Sequence, residues 1–327
     1  MIIARTPLRM SFVGGGSDLP SFYRRNGGAV LSTAIDKYVY VSVNRKFDGG
    51  IRLAYSQTEE VVAREKIQHR LFKAAFEMLE VAGGLEMTTT ADIPSRGTGL
   101  GSSSSFTVGL LHVLNAYLGR HVSAEYLAAG ACEIEIERCH EPIGKQDQYA
   151  AAYGGLNLIV FNPDDSVQVE PVFMSATFRT ELQSQLIVFY TGATRSASGI
   201  LARQNEEVKT SADARRSLSR MVELSYLMRD ELGQGRLESF GDILRENWSL
   251  KKALTPDISN DAIENWYNAG LAAGASGGKL LGAGAGGFLM FFAPVERHQA
   301  IADAVGLRRV EFRFDPLGSR ILFYNPS

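Results

Sequence analysis

Apolar and polar residues alternate with period two over residues 2–5, 8–13, 29–35, 38–44 and 51–55, and the breaks fall at Gly14-Gly-Gly16, Gly27-Gly28 and Asp48-Gly-Gly50. That rhythm predicts strands joined by turns in a mostly antiparallel sheet. Over 69–81 the period changes: Leu71, Phe72, Ala75, Phe76, Met78 and Leu79 form one helical face, closed by Gly83-Gly84. Residues 85–93 return to a strand. Phe106, Val108, Leu110, Leu111, Leu114 and Leu118 then mark a helix over 106–118. Ser123 caps a helix over 124–139 that ends at Pro142-Ile-Gly144, and a strand follows over 156–161.

After Pro171 a second pattern begins. It holds a strand at 185–190, helices near 198–207, 213–232, 237–250 and 261–273, a strand at 287–292, a helix from Val295, and closing strands at 309–314 and 319–324. The predicted class is α+β in two domains, 1–175 and 176–327, with the boundary near Ser175 and no linker-like composition to mark it. A chain of 327 residues is long enough for a sizeable core in each.

Charge and cysteine usage narrow the function classes. Lys and Arg number 34 against 36 Asp and Glu, a net charge of −2, and no basic block stands out, so nucleic acid is not an expected partner. No window approaches the roughly 20 apolar residues of a membrane helix, and the amino terminus lacks a secretory pattern, so a soluble, cytoplasmic protein without a membrane partner is expected. Cys132 and Cys139 lie seven apart on one predicted helix, about 10 Å, which is too far for a disulfide. They fit a reducing compartment, and the five histidines form no metal-ligand pair.

Three glycine-rich segments carry the candidate chemistry. The first is Pro94-Ser-Arg-Gly-Thr-Gly-Leu-Gly-Ser-Ser-Ser-Ser105, which runs into the apolar helix. Gly97, Gly99 and Gly101 permit positive φ and close approach to an anion, the serines suit a helix start, and the helix N-terminus favours phosphate. A flexible linker is the competing reading, but Leu100 anchors the loop and a buried helix follows it. No lysine follows the last glycine, so this is not a Walker A loop. The second segment, Gly282-Ala-Gly-Ala-Gly-Gly287, spells G-x-G-x-x-G but leads into the strand at Phe288 rather than a helix, so it is not a dinucleotide fingerprint. Close packing of two elements is its other reading. The third, Pro7-Leu-Arg-Met-Ser-Phe-Val-Gly-Gly-Gly-Ser-Asp18, presents Arg9 on a strand and Ser17 and Asp18 after a glycine turn.

Together and in this order the three segments resemble the GHMP kinases, the superfamily of galactokinase, homoserine kinase, mevalonate kinase and phosphomevalonate kinase. The resemblance spans nearly the whole chain and keeps the hydroxyls of Ser102-Ser-Ser-Ser105 where many members have Ser-Ser-Ala. It implies a first, nucleotide-binding domain of the ribosomal-protein-S5-domain-2 type, a ferredoxin-like second domain, and a cleft between them. Within the superfamily, segments 5–18 and 93–106 are most similar to D-glycero-D-manno-heptose 7-phosphate kinases, which phosphorylate the anomeric hydroxyl on the way to GDP-heptose and bacterial surface glycans. A fucose-type sugar 1-kinase is the alternative, and a catalytically silent sugar-phosphate sensor the alternative of another class.

The resemblance also implies roles for single residues. ATP would lie on Gly97, Thr98, Gly99, Leu100, Gly101, Ser102, Ser103 and Ser104. Mg²⁺ would rest on Ser103 and Glu137, with Glu141 as a competitor and a solvated face of Glu133 and Glu137 as the bland reading. Asp147 would be the general base or the group that orients the acceptor hydroxyl, and an N-cap role is compatible with that. Arg9 would stand near that hydroxyl, with Lys145 assisting. Ser17, Asp18, Gly284 and Gly286 would line the acceptor site. Arg195 would hold the sugar's own phosphate, in competition with Arg96 and Lys279. A homodimer is compatible with all of this.

Overall fold

The computed structural model describes residues 1–93, 97–192 and 197–326. Arg96 and Arg195 therefore lie outside the described residues. Eight strands form the first sheet: β1 (Ile2–Val13), β2 (Gly28–Arg45), β3 (Ile51–Ala54), β4 (Thr58–Val61), β5 (Leu85–Ala91), β6 (Leu156–Phe161) and β7 (Val167–Pro171), joined by β12 (Arg320–Tyr324) near the carboxyl end. The main path runs β12-β1-β2-β5-β3-β4, and β6 and β7 continue from the other half of β2. The long β2 makes this branching possible: residues 39–45 pair with β5 and residues 28–33 with β6. Each of the first two strands joins two expected strands into one, with register shifts in their pairing between Pro7 and Leu8 and again between Ser11 and Val13. Every pairing in this sheet is antiparallel except β3 with β5.

The second sheet holds β8 (Leu186–Tyr190), β9 (Gly277–Leu280), β10 (Phe288–Phe292) and β11 (Arg308–Arg309), in the order β11-β8-β10-β9. Counted within this unit the order is 4-1-3-2, a βαββαβ sheet of the ferredoxin-like kind. The helices are α1 (Pro20–Asn26), α2 (Arg70–Met78), α3 (Ser102–Tyr117), α4 (Ala124–Cys132), α5 (Gln146–Tyr153), α6 (Ala176–Ser184), α7 (Ala197–Thr210), α8 (Ala212–Gly233), α9 (Phe240–Lys252), α10 (Asp261–Ala272) and α11 (His298–Val305).

Two expectations are corrected here. The helix expected over 124–139 is α-helical only to Cys132 and continues as a π-helical turn, Glu133–Arg138. The boundary at Ser175 does not divide the chain into two contiguous blocks, because β12 returns to pair antiparallel with β1. Ser319 Oγ lies 2.8 Å from Thr6 Oγ1 and 2.9 Å from His112 Nδ1, which pins that return. The larger core also crosses the boundary: Phe12 of β1 meets Phe240 of α9 edge-on at 5.5 Å, and Phe240 meets Phe292 of β10 at 4.7 Å. The absence of a linker in the sequence follows from this shared core, since both units bury the same aromatic seam.

Helix α3 is buried on nearly every side, packed against β1, β2, α4 and α5. Gly109 permits its close approach to β1, because a Cβ there would stand 2.8 Å from Thr6 Oγ1. Its N-terminus thus opens at the junction of β1, α5 and the second unit.

Candidate active site

The glycine loop before α3 follows from its residues. Gly97, Gly99 and Gly101 take φ of 67°, 76° and 74°, the left-handed region that a side chain disfavours. Gly101 is the residue before the helix, and no side chain caps α3. The backbone N–H groups of Ser103 and Ser104 have no carbonyl four residues back within the helix, so they are available to an anion. A Cβ on Gly99 would overlap the Leu281 carbonyl, and one on Gly282 would overlap Gly99 Cα. The second glycine cluster therefore serves close packing against the first loop. Gly282 and Ala283 line the cleft, whereas Gly284 packs on Ile258; neither Gly284 nor Gly286 is among the cleft-lining residues, contrary to expectation.

The cleft has a volume of about 630 Å³ and is lined by Gly97, Thr98, Gly99 and Gly101 through Ser104. Leu100 differs: its side chain is buried in the core, and its carbonyl accepts a hydrogen bond from Arg9 N at 3.0 Å. Arg9, 3% exposed, binds both walls. Its Nη1 donates to Gly99 O at 2.6 Å, and its Nε and Nη2 reach Asp147 Oδ1 at 2.8 and 2.7 Å. Asp147 stands in the first turn of α5. Its Oδ2 would be 3.2 Å from a Cβ on Gly101 and accepts no hydrogen bond among the described residues. The absence of a side chain at Gly101 thus leaves room beside the one carboxylate oxygen not taken by arginine.

Three site residues fall elsewhere than expected. Glu137 is exposed, while Glu135 is buried at the cleft. Glu135 Oε1 accepts from Ser103 Oγ at 3.1 Å and Oε2 from Gln148 Nε2 at 2.6 Å. Glu135 thus takes the place expected of Glu137. The signal was present in the helical period: position 135 falls four after Ala131 and seven after Ala128, on the buried face, and 137 does not. Burial raises the Glu135 pKa to about 7, with the Ser104, Gln148 and Ser103 hydrogen bonds opposing it. Lys145 turns away to donate to Asp165 O at 2.9 Å and covers the Tyr23 ring. Ser17 is fully buried, and its hydroxyl exchanges hydrogen bonds with the backbone of Ala29 at 3.0 and 3.1 Å.

Asp18 does reach the cleft, but its oxygens serve the protein. They accept from Gly16 N at 2.9 Å, Gln146 N at 3.2 Å and Gln146 Nε2 at 3.2 Å, which ties the glycine turn to the start of α5. Burial and then the Asp147 charge raise its pKa, against those hydrogen bonds. Glu141 bridges two other walls, accepting from Arg70 Nη1 and Ser198 Oγ, each at 3.0 Å. Lys279 donates to Ser11 O and Phe12 O at 2.8 and 2.9 Å and does not line the cleft. Lys251, unmarked by any motif, is buried at the cleft beside Gly16.

These features suit phosphoryl transfer: a positive-φ loop and helix N-terminus for phosphates, two hard oxygens on Ser103 and Glu135, and a carboxylate held by arginine. Among the described residues no three His, Cys, Asp or Glu side chains converge, and no helix is long and apolar enough to cross a membrane.

Comparison with known proteins agrees. Residues 66–155 match the GHMP kinases N terminal domain and residues 228–308 the GHMP kinases C terminal domain. The chain is 29% identical over 316 residues to the D-glycero-alpha-D-manno-heptose 7-phosphate kinase of Campylobacter jejuni, covering 92% of each. It is 28% identical over 316 residues to the bifunctional fucokinase/GDP-fucose pyrophosphorylase of Arabidopsis thaliana, covering 88% of this chain and 29% of that larger protein. A crystal structure of a D-glycero-D-manno-heptose 1-phosphate kinase from Bacteriodes thetaiotaomicron superposes with a TM-score of 0.82 at 25% identity, over 99% of this chain and 100% of that one. The glycine loop and the helix it opens thus fall within the first matched segment and strands β9 and β10 within the second, and the chain belongs to the GHMP kinases as a sugar kinase, a phosphotransferase that moves phosphate from ATP to a hydroxyl group.

Proposed function

We propose that the protein phosphorylates the anomeric hydroxyl of D-glycero-D-manno-heptose 7-phosphate, giving the 1,7-bisphosphate. The end-to-end likeness to the Campylobacter jejuni heptose 7-phosphate kinase supports the acceptor. One observation carries the chemistry: the Arg9–Asp147 pair beside Gly101, at the mouth of an uncapped helix.

In this reading the loop 97–101 and the first turn of α3 hold the ATP phosphates through backbone N–H groups. Ser103 Oγ and the Glu135 carboxylate would hold Mg²⁺, which would supply positive charge to offset that of the phosphates. The Arg9 fork fixes Asp147 through Oδ1 and leaves Oδ2 to accept the proton of the acceptor hydroxyl, or to orient it, as it meets the transferring phosphoryl group. Arg9 also ties this carboxylate to the Gly99 carbonyl, so donor loop and base move as one unit.

The test is a paired assay with ATP and Mg²⁺. Heptose 7-phosphate is expected to be turned over to a product phosphorylated at C1, identified by phosphorus NMR. Turnover of fucose or another unphosphorylated sugar alone would assign the enzyme to the fucokinase-like kinases, and nucleotide binding without turnover of any sugar would make it a sensor.

A further inference from the structure

Helix α9 brings Lys251 into the cleft, 6% exposed, with neutral partners only. Its ammonium donates to Gly15 O at 3.1 Å and to Gln204 Oε1 at 3.0 Å. Among the described residues no carboxylate lies within ion-pair distance of it. Asp18, an acid of the same cleft, already accepts three N–H groups. An ammonium has three protons, so one donor of Lys251 remains unused.

The residue that holds the lysine lies behind it. Gln204 of α7 is fully buried, and the lysine fixes its amide orientation because an ammonium can only donate. That leaves Gln204 Nε2 without a partner. Both nitrogens crowd Gly16: a Cβ there would overlap Gln204 Nε2 and lie 3.2 Å from Lys251 Nζ. Gly16, with φ of 105°, lets the Gln204 amide pack directly against its backbone, so the space beside it in the cleft is edged by the unneutralised Lys251 with the amide behind. A buried charge without a counterion is costly, and an anion in the cleft beside Lys251 resolves it.

The neighbours place this space on the acceptor side. Gln146 contacts Asp18 at the glycine turn, whereas Asp147, the next residue, faces Gly101 of the loop before α3. We propose that Lys251, held in place by Gln204, forms the subsite for a phosphate group carried by the acceptor, so that phosphorylated sugars are bound in preference to free ones. This deepens the reading above and rests on it only in taking the acceptor to be a sugar phosphate.

The experiment is calorimetric titration of the full chain with D-glycero-D-manno-heptose 7-phosphate, mannose 6-phosphate, the two free sugars and inorganic phosphate, for the wild type, Lys251→Met, Gln204→Glu and Lys251→Arg. The wild type is expected to bind a sugar phosphate at least about tenfold more tightly than its free sugar, and Lys251→Met and Gln204→Glu to lower that ratio by about tenfold to a hundredfold. Gln204→Glu neutralises the lysine while keeping its hydrogen bond, so it decides the matter if Lys251→Met does not fold. Lys251→Arg, which keeps the charge, should keep most of the ratio. An unchanged ratio in both neutralised variants, or equal loss of ester and free sugar, would make Lys251 a strut between α9 and the Gly15 turn and overturn the proposal. So would a wild type without preference for either ester, or one that responds to inorganic phosphate alone. A Lys251-dependent preference without turnover of heptose 7-phosphate would uphold the subsite and reject the heptose reading.

Discussion

Asp147 is the residue on which turnover depends in this reading. Asp147→Asn keeps the shape but loses the base and the ion pair with Arg9. It should lower kcat by about 10²- to 10⁴-fold, with the nucleotide dissociation constant measured by fluorescence titration moving little. The pair Glu135→Gln and Glu137→Gln separates the two glutamates. The first should raise the Mg²⁺ concentration needed for half-maximal rate and the second should leave it as it is, read from a magnesium titration; the reverse order would restore Glu137. Lys251, Gln204 and Glu135 share a lesson. Each sits on an apolar stripe of its helix, Lys251 with Phe240, Leu244 and Trp248, and Gln204 with Ile200 and Val208. A polar side chain in step with buried ones is legible in sequence, whereas a motif search passes over it.

At the scale of the element, the glycine loop and α3 act together. Gly99 holds a positive φ and touches the backbone of Leu281, so Gly99→Ala meets both backbone strain and overlap. It should cost about 1–3 kcal/mol of stability in urea unfolding and raise the ATP KM, because the loop cannot close on the second glycine cluster. The loop, its helix and the N-terminal strand-turn were readable as a set, since glycine spacing and helical period are local properties. The direction of Lys145 was not. It lies two residues from Asp147, but the chain bends sharply into α5, and the cation packs on Tyr23 and Asp165 instead. Neither could the π-helical turn at Glu133–Arg138 be read, because one wider turn leaves the apolar count almost unchanged.

At the scale of the molecule, the two units share a core and the carboxyl end closes on the first sheet. Phe240 bridges them, so Phe240→Ala should cost about 3–5 kcal/mol and leave unfolding a single transition by both fluorescence and circular dichroism. The closure adds a pH dependence. Burial, and then the nearby His121, lower the His112 pKa from 6.5 to about 4 where it meets Ser319. Above pH 6.5 the ring is neutral in both states. As pH falls from 6.5 toward 4 the unfolded chain takes up a proton that the fold resists, so stability declines by at most about 3 kcal/mol. His112→Gln should flatten that decline by about one proton in denaturant melts across the window. By itself the sequence determined the strand and helix rhythm, the three glycine segments and their order, because these depend on neighbours a few residues away. The tertiary structure alone decided that Asp18 and Ser17 brace the backbone and that β12 crosses back. Those outcomes depend on which elements meet in the folded chain, where burial, unlike local period, is settled only by the packed whole.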